Sequence, residues 1–174
     1  MKYKILGKQN NTDKCFVCGM MNEAGVKAEF YNCQDEQGEK VLLTRITPQD
    51  IHQSYPNRMH GGVISALLDE SIGRAVQIDN ADIWAVTIDL NVKFRKPVSL
   101  DTIIWIESKI TNLGARAFEG EGKMFLSRDG EQITLATATA KFFRVSYDDA
   151  FPTDKLNPKN WFVVAEDLPE YFEL

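Results

Sequence analysis

The chain has 174 residues, 44% of them hydrophobic, and no long low-complexity run, which fits a single globular domain able to bury its own core and leaves little room for two. A net charge of −5 and a pI near 5.1 argue against a partner tracked through phosphates, since nucleic-acid surfaces carry an excess of Lys and Arg. No run approaches the roughly 20 apolar residues of a membrane span, and the first residues lack the apolar stretch of a secretory leader, so a cytoplasmic protein without membrane association is expected.

In chain order, residues 1–24 read as a polar leader of loop or short helix. Val26 to Tyr31 and Lys40 to Ile46 are short strand candidates on either side of the turn-like segment Gln34 to Gly38. An irregular polar stretch runs from Pro48 to His60. A helix then extends from Gly61 to about Ile78, where Asp79 and Asn80 end it. Beyond it the apolar period changes from 3.6 to 2. Val86, Ile88, Leu90, Val92 and Phe94 alternate with polar residues, predicting a strand with one apolar face that Pro97 stops. Thr102 to Thr111, Ala117 to Ser127 and Gln132 to Val145 are three further strands, the last joints short enough for hairpins. One apolar helix plus an antiparallel meander predicts an α+β fold whose sheet wraps the helix, with its core over about residues 26–145. A C-terminal extension from Tyr147 to Leu174, carrying Trp161, Phe162, Tyr171 and Phe172, is free to cover the sheet or a partner.

The helix holds the chemistry. Its first residues, Gly61 and Gly62, stand where unpaired N–H groups and the positive end of the macrodipole let a polarised carbonyl approach. On a wheel with Gly62 at the origin, Ile64, Leu67, Leu68, Ile72, Ala75 and Ile78 define a core direction near 210°, with Asp69 at about 340° and Glu70 at about 80°. The wheel does not choose between the two acids. Glu70 has Arg74 one turn on, an ordinary surface ion pair. Asp69 lies in line with Gly62, Ser65 and Gly73, small residues that would leave a groove, although from pattern alone a solvated face is the simpler explanation of a mid-helix Asp.

Other chemistry-bearing residues invite plainer explanations. Cys15 and Cys18 form a C-x-x-C followed by Cys33; the odd count suits a reducing compartment, and zinc would need His52 or His60 to complete four ligands. Structural cysteines and no metal are expected. His60 has no G-x-S-x-G partner, so holding the loop before the helix is its simpler role. Lys93, Arg95 and Lys96 suit either coenzyme A phosphates or the polar face of an edge strand.

The set His60-Gly61-Gly62, Asp69 eight positions beyond Gly61, Val86-Thr87-Ile88-Asp89-Leu90-Asn91-Val92 and Arg95-Lys96-Pro97 resembles the PaaI-like acyl-CoA thioesterases of the hotdog fold. Cys15-Phe-Val-Cys-Gly19, with Asn22 and Gly25, is similar to an N-terminal feature of one branch. The resemblance covers about residues 15–145. It implies that the Gly61 N–H polarises a thioester carbonyl, that Asp69 acts as nucleophile or general base, and that Thr87 helps place the attacking water. It further implies an acyl-CoA substrate, no cofactor, substrate-binding positions at Ser54, Asn57, His60, Gly62, Arg95 and Lys96, and a homodimer with its site between subunits, in some cases paired into a tetramer. Seven residues before Gly61, where the family often has Asn or Gln, stands Ser54, with Gln53 and Asn57 near enough to supply an amide.

Two other functions fit the same pattern. A non-hydrolytic acyl-CoA-binding protein would bind without releasing thiol. A hotdog dehydratase would pair His60 with a helix acid.

Overall fold

The computed structural model describes residues 1–146, Asp149 and 161–174. One helix, α1 (Gly61–Ala75), continues into a 3-10 turn at Val76–Ile78 and lies against an eight-stranded antiparallel sheet. The strands are β1 (Lys2–Lys8), β3 (Glu29–Gln34), β4 (Lys40–Ile46), β5 (Trp84–Phe94), β6 (Ile104–Leu113), β7 (Ala117–Arg128), β8 (Glu131–Val145) and β10 (Tyr171–Glu173); β2 (Asn11–Thr12) and β9 (Trp161–Phe162) make a separate pair. The order across the sheet is β10-β1-β3-β4-β6-β7-β8-β5, and the helix packs on β4 to β8. This is the hotdog fold that the resemblance implies, and its helix wrapped by an antiparallel sheet is what the periodicities predict. No helix among the described residues is long and apolar enough to cross a membrane.

The helix sits close because its sheet is small where they meet. Ile64, Leu67, Leu68 and Ile72 are buried against Leu42, Ile106, Phe118 and Met124. Directly beneath Ile72, β7 carries Gly120 and Gly122. A Cβ on Gly120 would stand 2.7 Å from Ile72 Cγ2 and 2.9 Å from the Lys109 carbonyl oxygen, so any side chain there pushes helix and sheet apart. A buried polar crossing between helix and sheet is satisfied: Thr44 Oγ1 donates to Ser71 Oγ at 2.9 Å.

The structure differs from the sequence expectation in three places. The first residues are not a loop. Tyr3 and Ile5 alternate with Lys2 and Lys4, and β1 enters the main sheet with Tyr3 fully buried. Second, the strand expected from Val26 begins at Glu29, because Val26 and Ala28 donate to the carbonyls of Phe16 and Val17 and Lys27 turns with φ +58°. Third, β5 does not keep one apolar face. A bulge at Ile88, between the Thr87–Phe142 and Asp89–Lys141 pairs, advances the phase by one residue. Ala85 and Thr87 therefore share the helix side with Leu90 and Val92, while Val86 and Ile88 are about half exposed, at 50% and 55%.

The tail covers the far side of the sheet. Phe172 sets its ring 5.1 Å from Tyr31 and 4.9 Å from Trp105, within a second cluster of Tyr3, Tyr31, Leu43, Phe125 and Leu174. Glu166 ties it down by accepting from Lys8 Nζ at 2.6 Å, Arg45 Nη2 at 2.8 Å and Tyr31 Oη at 2.9 Å. Tyr147 lies outside the described residues.

Gly120→Ala is expected to lower stability by about 1–3 kcal/mol through overpacking, whereas Gly7→Ala, with no atom within 4 Å of the added carbon, stays within about 0.5 kcal/mol of the parent. Urea midpoints measured side by side check this; equal losses at the two positions would contradict it.

Candidate functional site

His60 is the N-cap of α1. Its extended backbone (φ −67°, ψ 134°) stops the helix on the N-terminal side, and its Nδ1 accepts the Gly62 N–H at 2.9 Å. The Val63 and Ile64 amides both reach the His60 carbonyl. The Gly61 N–H is thus the first-turn donor without a partner among the described residues, and Gly61 lines a cavity of about 490 Å³ between Phe94 and the loop at Tyr55. Arg58, Arg95 and Lys96 rim that cavity with positive charge, and the Phe94 ring stands 3.5 Å from where a Gly61 Cβ would be.

Asp69 opens on a second cavity, of about 320 Å³, shared with Gly73, Trp84, Thr87, Phe142, Cys15 and Cys18. Thr87 Oγ1 donates to Asp69 Oδ1 at 2.8 Å, a bond that the β5 bulge makes possible by turning Thr87 to the helix side. Burial raises the Asp69 pKa above the ordinary carboxylate value; the Thr87 bond works against that rise, and the neighbouring Glu70 charge adds to it. A half-buried carboxylate with a fixed orientation and raised basicity can take a proton from water or attack a carbonyl. The groove expected beside Gly62, Ser65 and Gly73 is present only at its Asp69–Gly73 end, since Ser65 Oγ donates back to the Gly61 carbonyl at 3.0 Å.

The remaining predicted positions separate. Arg95 and Lys96 line the Gly61 cavity. Ser54 is exposed and bonds only to the Arg58 carbonyl, while Asn57 turns through φ +55° and accepts the Leu100 N–H at 3.3 Å. Gln53 sits in an isolated bridge with Met59. His60 and Gly62 are occupied with each other. Sequence reasoning did not single out Tyr55 and Arg58, although an aromatic in the polar loop before the helix was a usable signal; Tyr55 is 77% exposed in the structure.

Arg74 is not on the surface. It is buried, holding Glu70 Oε1 at 2.7 Å, the Asn10 carbonyl at 3.0 Å and Cys18 Sγ at 3.3 Å, with its guanidinium 4.3 Å above the Phe30 ring. The sulfurs of Cys15 and Cys18 and a Glu70 oxygen lie within 4.8 Å of one another, but neither histidine joins them, so no four-ligand set forms among the described residues.

Residues 57–133 match the family model described as the thioesterase superfamily. The chain is similar to that superfamily over 77 of its 174 residues. It is 26% identical over 125 residues to the acyl-coenzyme A thioesterase THEM4 of Rattus norvegicus, covering 70% of this chain and 49% of the relative, and so spans about half that relative's length. Among solved structures it resembles the BH2602 protein from Bacillus halodurans with CoA, at 27% identity and TM-score 0.54 over 64% of this chain and 71% of that one. It also resembles the PaaI protein of E. coli from the phenylacetic acid degradation operon, at 16% identity and TM-score 0.59 over 70% and 81%.

Thr87→Val removes the bond that favours the ionised form of Asp69, so the Asp69 pKa rises further. The Asp69 carboxyl, followed by NMR, therefore titrates at higher pH in Thr87→Val than in the parent; an unmoved titration would show that the Thr87 hydroxyl does not tune this carboxylate.

Proposed function

We propose that this protein hydrolyses an acyl-CoA thioester to the free acid and CoA at a site shared by two copies of the chain. The observation that carries the proposal is the Asp69–Thr87 pair held in a cavity on one flank of α1 while Gly61, its amide unpartnered, lines another. Gly61 supplies the N–H that stabilises the tetrahedral oxyanion, Asp69 is the nucleophile or general base, and Thr87 orients it. The thiolate of CoA is a good leaving group, so no strong general acid is needed. Arg95 and Lys96, joined by Arg58, supply cations suited to CoA phosphates. The CoA in the BH2602 structure and the name of the THEM4 relative support this substrate class.

Two copies are required by distance. Gly61 and Asp69 are eight residues apart on one rigid helix, about 12 Å along its axis, too far to meet at a single carbonyl. Strand β5 offers the remedy. It lies at the edge of the sheet over 11 residues, with Val86 and Ile88 exposed. Antiparallel pairing of two β5 strands about a centre between Leu90 and Asn91 sets Thr87 of one copy opposite Phe94 of the other, joining each Asp69 cavity to a Gly61 cavity. The native mass is then twice the 19.7 kDa chain, or a further multiple if dimers pair into tetramers. A His60–Asp69 dehydratase pair gains no support, because His60 Nδ1 caps Gly62 and the two residues lie nine positions apart on α1.

Asp69→Asn is expected to lower kcat for thiol release from acyl-CoA by about 10²–10⁴-fold. Because burial raises the Asp69 pKa on folding, the charge costs stability once pH exceeds the unfolded value, so the same variant melts no lower than the parent at pH 7. Full activity in Asp69→Asn would refute the assignment; saturable binding of acyl-CoA by the parent chain without thiol release would establish the binding protein instead.

Gly61→Pro isolates the amide. Proline is favoured at the first helical position, and the extended His60 backbone is what a residue before proline adopts, so the variant folds while losing only that N–H. The expected loss in kcat is about 10²–10³-fold with a native far-ultraviolet spectrum, and undiminished turnover would exclude this amide from the oxyanion site.

A further inference from the structure

Cys15 and Cys18 occupy a tight turn that the thioesterase chemistry does not use. The Gly19 N–H closes it on the Cys15 carbonyl at 2.8 Å, and the Val17 N–H points at Cys15 Sγ at 3.3 Å. Gly19 is obligatory there, since a Cβ would stand 2.3 Å from the Cys15 oxygen. Both cysteines line the Asp69 cavity, Cys15 partly buried and Cys18 fully buried, and the buried Arg74 guanidinium reaches Cys18 Sγ at 3.3 Å. Arg74 itself is fixed by Glu70, the Asn10 carbonyl and the Phe30 ring, and Thr12 Oγ1 lies 3.5 Å from the same sulfur. Adjacent thiols, a fixed cation on one of them and an adjoining cavity that a small oxidant can enter are the features of a reactive thiolate with a resolving partner.

We propose that Cys15 and Cys18 form a peroxide-reactive dithiol that closes reversibly to an intramolecular disulfide. The thiol bond from Cys15, together with Arg74, brings the Cys18 pKa down to about 6 against the opposing effect of burial, while Cys15 is raised and keeps the shared proton. Cys33, buried away from any cation and pushed up to about 12, has neither feature. The oxidant is a small hydroperoxide able to enter the cavity. The Cys18 thiolate attacks a peroxide oxygen, the O–O bond breaks, and hydroxide leaves and is protonated to water, giving Cys18 sulfenic acid. Cys15 sulfur then attacks the sulfenyl sulfur; the S–S bond forms, the S–O bond breaks, and hydroxide departs as water with the Cys15 proton. Two thiols are oxidised by two electrons in all, and one hydrogen peroxide is reduced to two waters.

The test uses the full chain, reduced, desalted and exposed to a molar excess of hydrogen peroxide at pH 7. Thiols titrated under denaturation fall from three to one and return to three after dithiothreitol, and the peptide holding Cys15 and Cys18 is lighter by two hydrogens. In Cys15→Ser, which lacks the resolving thiol, dimedone traps a sulfenic acid on Cys18. Three surviving thiols, a linkage through Cys33 or to a second chain, an irreversible loss, absence of the dimedone adduct, or purified protein holding stoichiometric zinc with both thiols silent until chelation would each overturn the proposal.

Discussion

Eight residues of helix, about 12 Å of rigid axis, separate the Gly61 amide from the Asp69 carboxylate, and the rest of the architecture answers to that spacing. An α-helix cannot bend to bring the two groups together without breaking its hydrogen bonds. What the chain offers instead is an edge strand alongside the helix, with Thr87 near the acid and Phe94 against the glycine. The proposed site follows from copying that edge about a two-fold axis.

The spacing matters only if the helix is held in one place. Ile72 rests on two glycines of β7, closer than any side chain would permit, and Ser71 is pinned to Thr44 on β4. At the other end, the His60 imidazole takes the Gly62 amide and leaves the Gly61 amide alone, so the cap selects which donor stays open. In the last turn, Arg74 neutralises Glu70 and leans on Cys18, which separates the two helix acids: Glu70 is ion-paired, while Asp69 keeps a hydroxyl partner and a raised pKa.

Much of this was legible in the order of residues. The helix and its bounds, β4 residue for residue, the hairpin strands and the pairing of Glu70 with Arg74 all follow from local pattern. Whatever depends on a distant partner does not. The alternation in Lys2 to Ile5 is too short to announce a strand, and β1 exists because β3 and β10 flank it. The Ile88 bulge is a property of the β5–β8 pair, and without it the alternating pattern assigns Thr87 to the wrong face. Arg74 falls at about 120° on the helical wheel, at the margin of the apolar arc, a sign of burial that its charge obscures. Ser54 and Asn57 show the converse, for their proximity in sequence to the glycines does not bring their side chains to either cavity.

The central claim is that the amide of one chain and the carboxylate of another act on one carbonyl. Mixing Asp69→Asn and Gly61→Pro chains after reversible dissociation tests it most directly, because each mixed dimer regains one site with an intact glycine from one chain and an intact aspartate from the other. Two nearly inactive proteins should together recover about a quarter of parental thiol release, the share expected for random isologous pairing. No recovery in a mixture shown by mass to contain the mixed dimer would contradict the shared site.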